Sequence, residues 1–430
     1  MQSLNKVSVG LVFITATLVS DAIVAAAADT SSPGAKMEEI TEAAIAGNQF
    51  GFDLFARLRL QEGNLFFSPY GISTAMAMAH AGARGQTQDQ MARTFHWGSS
   101  SGQAGLWSGA QVAQFMGALI RDQSRRSSQG DYEWTVANAL WGQKDIAFAA
   151  DFLKTIKTEY TGGLKLTDFV ADPEGARLTI NSWVRDQTHE KIQDIIPSRV
   201  LGKDTRLVLT NAVYFKGNWM NPFSKTATAP AHFHLISGQD VNVPMMNRTG
   251  NYAYAETRQL QILELSYKGK ELSMLILLPR NPNGLGEVEK SLANDTVTSY
   301  VHQLGDREVD TTIPKFTLNC EFGVAEMLVA MGMTDAFNRT AADFAGMTDK
   351  RDQRLYISAV LHKAFVAVDE EGTEAAAATA VPFAPGFNID LSKKPHIRFN
   401  ADHPFVFIIR DNVSGSILFV GRLADPGRGS

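Results

Sequence analysis

The strongest constraint on the fold is where its two periodicities fall. Apolar residues at helical spacing crowd the first half of the chain. Phe50, Leu54, Phe55 and Leu58 form one face, and Ile72, Ala75, Met76 and Ala79 another. Ser68 is placed to cap the second of these helices, and Pro69 suits its first turn. Further helical patterns cover residues 151–160, 173–189 and 321–331. Strand-like runs crowd the second half: after WTVANALWG come RLVLTNAVYF, LQILELSY joined through KGK to ELSMLILL, VDTTIPKF, and PFVFIIR with SILFVGR around DNVSG. There is no regular βαβ alternation and no internal repeat. The expected class is therefore α+β with non-local sheet pairing, not a doubly wound sheet. Such topologies fold slowly and can leave a strand position to be filled late.

With 430 residues, 44% hydrophobic and 20% charged, the chain has the composition of a soluble globular protein large enough for a core without covalent staples. A net charge of −5 argues against nucleic acid or an anionic membrane as the main partner. The N-terminus has the pattern of an export signal. Lys6 gives a positive start, residues 9–19 are apolar, and Ala26-Ala27-Ala28 offers a small-residue cleavage site. An uncut anchor would put the Asp21 carboxylate in lipid, which is costly, so cleavage is the better reading. Residues 1–28 are expected to be a signal peptide and 29–36 (DTSSPGAK) a flexible leader, leaving no membrane span after cleavage. Cys320 is the only cysteine, so no intramolecular disulfide is available. Its place at the end of a strand-like run suits a small buried residue better than a catalytic thiol.

Conventional catalytic and ligand motifs are weak. GSSSG, residues 98–102, fits the G-x-S-x-G pattern, but that pattern needs a sharp strand-to-helix turn, and here it follows the helical run QMARTFHW. A surface loop is the better account. His232 and His234 share one face of a strand at metal-ligand spacing, with no acidic or cysteine partner close in sequence, so no metal site is expected. Arg121, Arg125 and Arg126 can attract a polyanion, but a solvated helix end is the better account. Asn247, Asn294, Asn338 and Asn412 each open an N-x-[ST] sequon, which has meaning only in a cell with the glycosylation machinery.

The most unusual stretch is DEEGTEAAAATAV, residues 369–381. Its alanines favour helix, yet it follows the β-like run YISAVLHKAFVAV and leads into PFAPG. Read as a strand, it splits cleanly. Thr373, Ala375, Ala377, Thr379, Val381 and Phe383 fall on one face, and Glu374, Ala376, Ala378, Ala380, Pro382 and Ala384 on the other. The first face is uncharged and mostly small, while the second directs its one charge, Glu374, towards solvent. Small side chains on both faces minimise the clash of entering a sheet already formed. Gly372 supplies hinge freedom, and Glu370 and Glu371 keep the approach polar. A short surface helix is the rival reading.

From about Ile45 to Pro426 the sequence resembles the serpin family. EEGTEAAAATA resembles the hinge of inhibitory members. NLFFSPYGISTAMAMAHAGARGQT (64–87), LTNAVYFKGNW (209–219) and FNADHPFVFIIR (399–410) resemble further family signatures in the expected order. The resemblance implies a single serpin domain over 37–426, built of three β-sheets and eight or nine helices. Its reactive-centre loop, about 372–394, is expected to be exposed. The hinge residues would be Glu370, Gly372, Thr373, Glu374, Ala375, Ala376, Ala377 and Ala378. Ser68, Asn211 and His362 resemble the polar cluster beneath the central sheet, and Trp219 the tryptophan where insertion begins. Gly71 departs from the pattern, since many members carry a second serine there, so the polar network is expected to be thinner or completed by water.

What the resemblance implies about function is a suicide-substrate inhibitor of serine endopeptidases, not an enzyme, working as a monomer without a cofactor and secreted to an extracellular or periplasmic space. The protease cuts the loop, an acyl-enzyme forms, and the cut loop enters the central sheet as a new strand before deacylation. Family spacing puts the cut bond at Gly386–Phe387. Gly386 in the protease's specificity pocket implies an elastase- or subtilisin-like target, and Phe387 a chymotrypsin-like one, with cysteine proteases as secondary targets. Lys393 and Lys394 would attract trypsin-like cleavage too far along for trapping. Pro382 has no N–H for a sheet ladder, so insertion is expected to weaken near it. The alternative is a non-inhibitory serpin acting as a carrier or folding helper.

Overall fold

The structure is a computed structural model, and it describes residues 33–99, 105–128, 132–160, 162–350, 354–373 and 397–428. The signal-peptide reading of residues 1–28 lies outside them. So do Ser100, Glu374, Ala375, Ala376, Ala377, Ala378, Gly386 and Phe387.

The chain opens with α1 (Pro33–Leu58), which starts inside the stretch expected as a leader. Residues 33–36 are its first turn, because a proline with no N–H to leave unpaired suits that position. Next come β1 (Leu65–Phe67), α2 (Pro69–His80), α3 (Gly85–Thr94), α4 (Gly109–Ser127), β2 (Tyr132–Gln143), α5 (Ala150–Glu159), β3 (Leu164–Thr167), α6 (Pro173–Gln187) and β4 (Leu207–Asn218). Ser68 caps α2 as its sequence predicts, its Oγ accepting from the Gly71 N–H at 2.9 Å.

The second half is strand-rich: β5 (Ala229–His234), β6 (Asp240–Glu256), β7 (Leu260–Ser266), β8 (Leu272–Pro279), α7 (Leu285–Ser291), α8 (Asn294–Gln303), β9 (Gly305–Pro314), β10 (Phe316–Gly323) and α9 (Val324–Ala330). The chain closes with β11 (Ile357–Val368), β12 (Gly372–Thr373), β13 (Ile397–Asn400), β14 (Phe405–Asp411) and β15 (Ile417–Leu423). The β7–β8 hairpin turns where expected, with Gly269 (φ 78°) and Lys270 (φ 61°) both left-handed. The helix expected over 321–331 is shorter, because Leu318 and Cys320 keep alternating inwards and β10 continues to Gly323.

Hydrogen bonding among the described residues joins the strands into two networks. The larger has nine strands along β1-β15-β14-β8-β7-β6-β9-β13, with β5 also on β6. It holds two of the three expected sheets, continuous through β6, which pairs with β5 and β9 up to Tyr254 and with β7 from Ala253. The smaller network is the central sheet, in the order β10-β11-β12-β4-β2-β3. Odd-numbered residues of β4, such as Leu209, Val213 and Phe215, face the main core with α1, α2 and the larger network. Val208 and Ala212 face a second core, where Ile180 and Val184 of α6 pack with Ile192, Ile195 and Ile196. Among the described residues no helix is long and apolar enough to cross a membrane.

Candidate functional site

β4 and β11 are the middle strands of the central sheet, and they have two kinds of neighbour. From Ile357 to Phe365, β11 pairs directly and in parallel with Leu207 to Tyr214 of β4. Beyond that the two strands part, and β12 lies between them. Thr373 sits opposite Val368 of β11 and Gly217 of β4, while Gly372 sits opposite Asn218, both pairings antiparallel. A slot one strand wide is thus open at the upper end of the sheet, where β4 finishes, and closed below.

The turn that carries β12 into the slot is fixed by its own side chain. Asp369 Oδ1 accepts from the Glu371 N–H (2.9 Å) and the Gly372 N–H (3.2 Å), and the Asp369 N–H donates to Gly372 O at 2.9 Å. Trp219 holds the turn from β4: its N–H donates to Glu371 O at 2.8 Å and its indole Nε1–H to Asp369 O at 3.0 Å. The Trp219 ring stacks on Tyr267 at 4.6 Å, and the Tyr267 hydroxyl shares a 2.7 Å hydrogen bond with the Thr373 hydroxyl. Thr373 is fully buried.

Glu370 is buried as well, and its carboxylate meets Lys315 Nζ at 2.7 Å and the Thr228 hydroxyl at 2.8 Å. Burial acts to raise its pKa, but the bonds from Lys315, its own backbone N–H and Thr228 outweigh it and hold the carboxyl below its ordinary value. Gly372 has no room for a side chain. A Cβ there would stand 2.1 Å from Gly217 O and 2.7 Å from the Asn218 Cα, both backbone atoms.

Lower in the sheet a polar row crosses three strands. Asn138 of β2 is opposite Asn211 of β4, which is opposite His362 of β11. The Ser68 N–H donates to His362 Nε2 at 3.2 Å, and His362 Nδ1–H donates to Asn211 Oδ1 at 2.6 Å. Asn211 Nδ2–H donates to Asn138 Oδ1, and Asn138 Nδ2–H to the Thr74 hydroxyl at 2.7 Å. Thr74 closes the chain by donating to Gly71 O at 3.0 Å. Each link donates in one direction, which requires a neutral His362 with its hydrogen on Nδ1. Burial enforces that state, lowering the His362 pKa to about 3.

Ser68, Asn211 and His362, singled out from the sequence, are therefore brought together, and Trp219 lies at the opening of the slot. Asn138 and Thr74 were missed. A signal existed for Asn138, a lone amide in the apolar run WTVANALWG. The network is not thinner for having Gly71, since a Cβ at Gly71 would stand 2.6 Å from Asn211 Nδ2, where Asn211 reaches towards Asn138.

The remaining candidates lie elsewhere in the fold. Gly98 bridges Leu106 just after α3, and Ser100 of the GSSSG stretch lies outside the described residues. His234 Nδ1 meets Asp240 Oδ1 at 2.7 Å across the β5–β6 pair, so an acidic partner lies six residues on, and no cluster of three metal-ligating side chains occurs among the described residues. Of the three arginines, Arg121 and Arg125 are solvated as expected, and Arg126 is not. Arg126 is buried against Asp411 and Asp122, Arg121 pairs with Glu159 at 2.7 Å, and Arg125 with Asp122 at 2.8 Å. Cys320 is buried in β10.

Comparison with known proteins agrees with this geometry. The serpin (serine protease inhibitor) family model matches residues 46–426. The leukocyte elastase inhibitor of Homo sapiens is 39% identical over 400 residues, covering 91% of this chain and 100% of its own. An uncharacterized serpin-like protein of Methanosarcina acetivorans is 38% identical over 391 residues, covering 89% and 88%. Among solved structures, uncleaved ovalbumin matches with a TM-score of 0.78 at 26% identity, covering 90% of this chain and 100% of that one. Serpin48 of the insect Tenebrio molitor matches at 0.75 with 28% identity, covering 89% and 98%. With its slot, its hinge turn and its polar row, this chain belongs to the serpin family, whose members are mostly protease inhibitors and not enzymes.

Proposed function

We propose that this serpin is an exported, monomeric, irreversible inhibitor of serine endopeptidases that works by loop cleavage, acyl-enzyme trapping and strand insertion. One observation carries the reading: Gly372 and Thr373 are paired on both sides between β4 and β11, which below them pair directly with each other. The first step of a strand addition is in place, and the next requires only that the seam beneath it open.

The registers indicate what would follow. Each residue added after Thr373 descends one residue on β4 and one on β11, which brings Thr379 opposite both Asn211 and His362. Insertion would break the His362–Asn211 bond and offer the Thr379 hydroxyl in its place, at the one polar row of this seam. Phe383 would reach Leu207, the first residue of β4, so Pro382 arrives only as the slot runs out. The small residues on both strand faces also acquire a reason. Ala375 and Ala377 would face the main core, while Ala376, Ala378 and Ala380 would face the α6 layer, which covers the lower part of the face expected to look towards solvent.

Gly386–Phe387 is the proposed reactive bond and lies just past that strand end. Elastase-, subtilisin- or chymotrypsin-like enzymes are the proposed targets, with cysteine proteases secondary. Export rests on the pattern of residues 1–28, and N-terminal sequencing of the mature protein tests it. The function is tested by mixing the purified protein with elastase, subtilisin, chymotrypsin and trypsin. An adduct of summed mass that survives SDS, with a released peptide beginning at Phe387, is expected. Clean cleavage by all of them without an adduct would favour the carrier or folding-helper reading.

A further inference from the structure

The geometry points to Asn338 as the acceptor of an N-linked oligosaccharide, an inference that rests on the export proposed above. Of the sequon asparagines, it is the one whose side chain is exposed and already set for transfer. Asn338 follows the short turn Asp335–Phe337, and its Oδ1 accepts from the Thr340 N–H (2.9 Å), the Thr340 hydroxyl (2.9 Å) and the Ala341 N–H (3.2 Å). The side-chain carbonyl is therefore turned onto the sequon's own threonine. The amide nitrogen has no partner among the described residues, and the residue is exposed. Arg339 and Thr340 are exposed as well.

The other sequons use their amides to hold the fold. Asn247 Nδ2 donates to Ala227 O at 2.9 Å and Met245 O at 3.1 Å, while its Oδ1 accepts from Thr312 at 2.7 Å. Asn412 Nδ2 donates to Lys270 O at 2.9 Å, its Oδ1 accepts from Ser273 at 2.9 Å, and the sequon's Ser414 is buried on Asp411. Asn294 is half-buried at the start of α8 with its Oδ1 accepting from Asn48 at 3.1 Å. A sugar takes one of the two amide hydrogens, so Asn247 would lose one of its two bonds, and at the half-buried Asn247 and Asn412 the sugar would have to displace the neighbours that their amides now hold. Whether transfer precedes or follows folding, those forms are selected against among folded molecules. Asn338 carries no such penalty, and unlike the half-buried Asn294 it is exposed.

The reaction is a substitution at the sugar. Asn338 Nδ2 forms a bond to the anomeric carbon of a polyprenyl-phosphate-linked oligosaccharide, supplied by a membrane oligosaccharyltransferase. The carbon–oxygen bond to phosphate breaks, the electron pair leaves on the phosphate, and one amide proton passes to a base of the transferase. The glycan would stand at the rim of a cleft of about 520 Å³ that Arg339 and Thr340 line together with Arg206, Arg354 and Tyr356. Arg206 and Tyr356 flank the lower ends of β4 and β11, opposite the entrance of the slot. The sugar would roof that cleft and shield the exposed Arg339–Thr340 bond from trypsin-like enzymes.

The test is expression in a eukaryotic secretory host, then peptide-N-glycosidase treatment in heavy-oxygen water and peptide mass spectrometry. Asn338 is expected to be occupied in most secreted molecules, with Asn247 and Asn412 bare. Asn338→Gln and Thr340→Ala should each lose one glycan's mass, while Thr340→Ser keeps it. A bare Asn338, or Asn247 or Asn412 occupied to the same extent, overturns the inference. If the protein fails to reach the medium, the export reading is what has failed. A copy carrying the host's signal peptide in place of residues 1–28 then still decides the question at Asn338.

Discussion

Replacing Thr373 by arginine puts the hinge to its hardest test. Thr373 is fully buried between Val368 and Gly217, and its hydroxyl meets Tyr267 at 2.7 Å. The stack of Tyr267 on Trp219 closes the space beyond, so a longer side chain must displace that pair or leave the slot. An unpaired guanidinium held there costs several kcal/mol even after relaxation. Taking about 4 kcal/mol on the insertion barrier, strand addition slows by roughly a thousandfold. Deacylation then wins, and the protease is released active. The assay is titration of a protease that the parent protein traps, reading residual activity per mole of inhibitor and the adduct band on SDS gels. Thr373→Arg should be cleaved and turned over with little adduct, while Thr373→Ser, which keeps the hydroxyl, should behave like the parent. If Thr373→Arg traps protease mole for mole as the parent does, insertion does not begin at this residue and the reasoning is wrong.

Thr379→Ala should leave the melting temperature of intact protein unchanged but lower that of loop-cleaved protein by an amount equivalent to about 1 kcal/mol, the worth of one buried hydrogen bond. Equal effects on both forms would mean that Thr379 does not enter the row of Asn211 and His362. Gly372→Ala should eject the hinge turn, since the new Cβ meets only backbone of Gly217 and Asn218. The Trp219 fluorescence, freed from its bond to Asp369, should shift to the red, and an unchanged spectrum would count against a seated hinge. Acid should destabilise the protein through two buried neutral histidines. Burial lowers His80 to about 4 and His362 to about 3, below the ordinary value of 6.5 that the unfolded chain keeps. The unfolded state therefore binds more protons. Stability is full above pH 6.5 and falls as pH drops towards 4, by on the order of 5 kcal/mol for the pair. His80→Gln should flatten this dependence by about half, and identical pH profiles for parent and variant would refute the assignment.

Much of the fold is legible in local pattern. Ser68-Pro69 marks the start of α2, Lys268-Gly269-Lys270 the β7–β8 turn, and the alternation in Ile357–Val368 the strand leading to the hinge. What escaped depends on partners distant in sequence. Asn138 and Thr74 reveal their role only when β2 pairs with β4 and α2 packs beneath, contacts that no spacing encodes. Arg126 reads as one of a basic cluster until β14 brings Asp411 against it. The small residue at position 71 reads as a missing serine until Asn211 is seen to need the space. The loop itself carries the clearest compositional signal in the chain, and the pairing of Gly372 and Thr373 supplies the register from which its course is proposed.

Because β11 and β4 already share that register without the additional strand, His362 facing Asn211 directly, admitting the strand requires no sliding of one half of the sheet along the other. The two halves need only move apart sideways by the spacing of one strand, about 4.8 Å, with each cross-seam pair keeping its level. Spin labels placed across the seam should therefore record a single lengthening, perpendicular to the strands, when the loop is cut. A displacement along the strand axis would mean that the inserted chain enters in some other alignment.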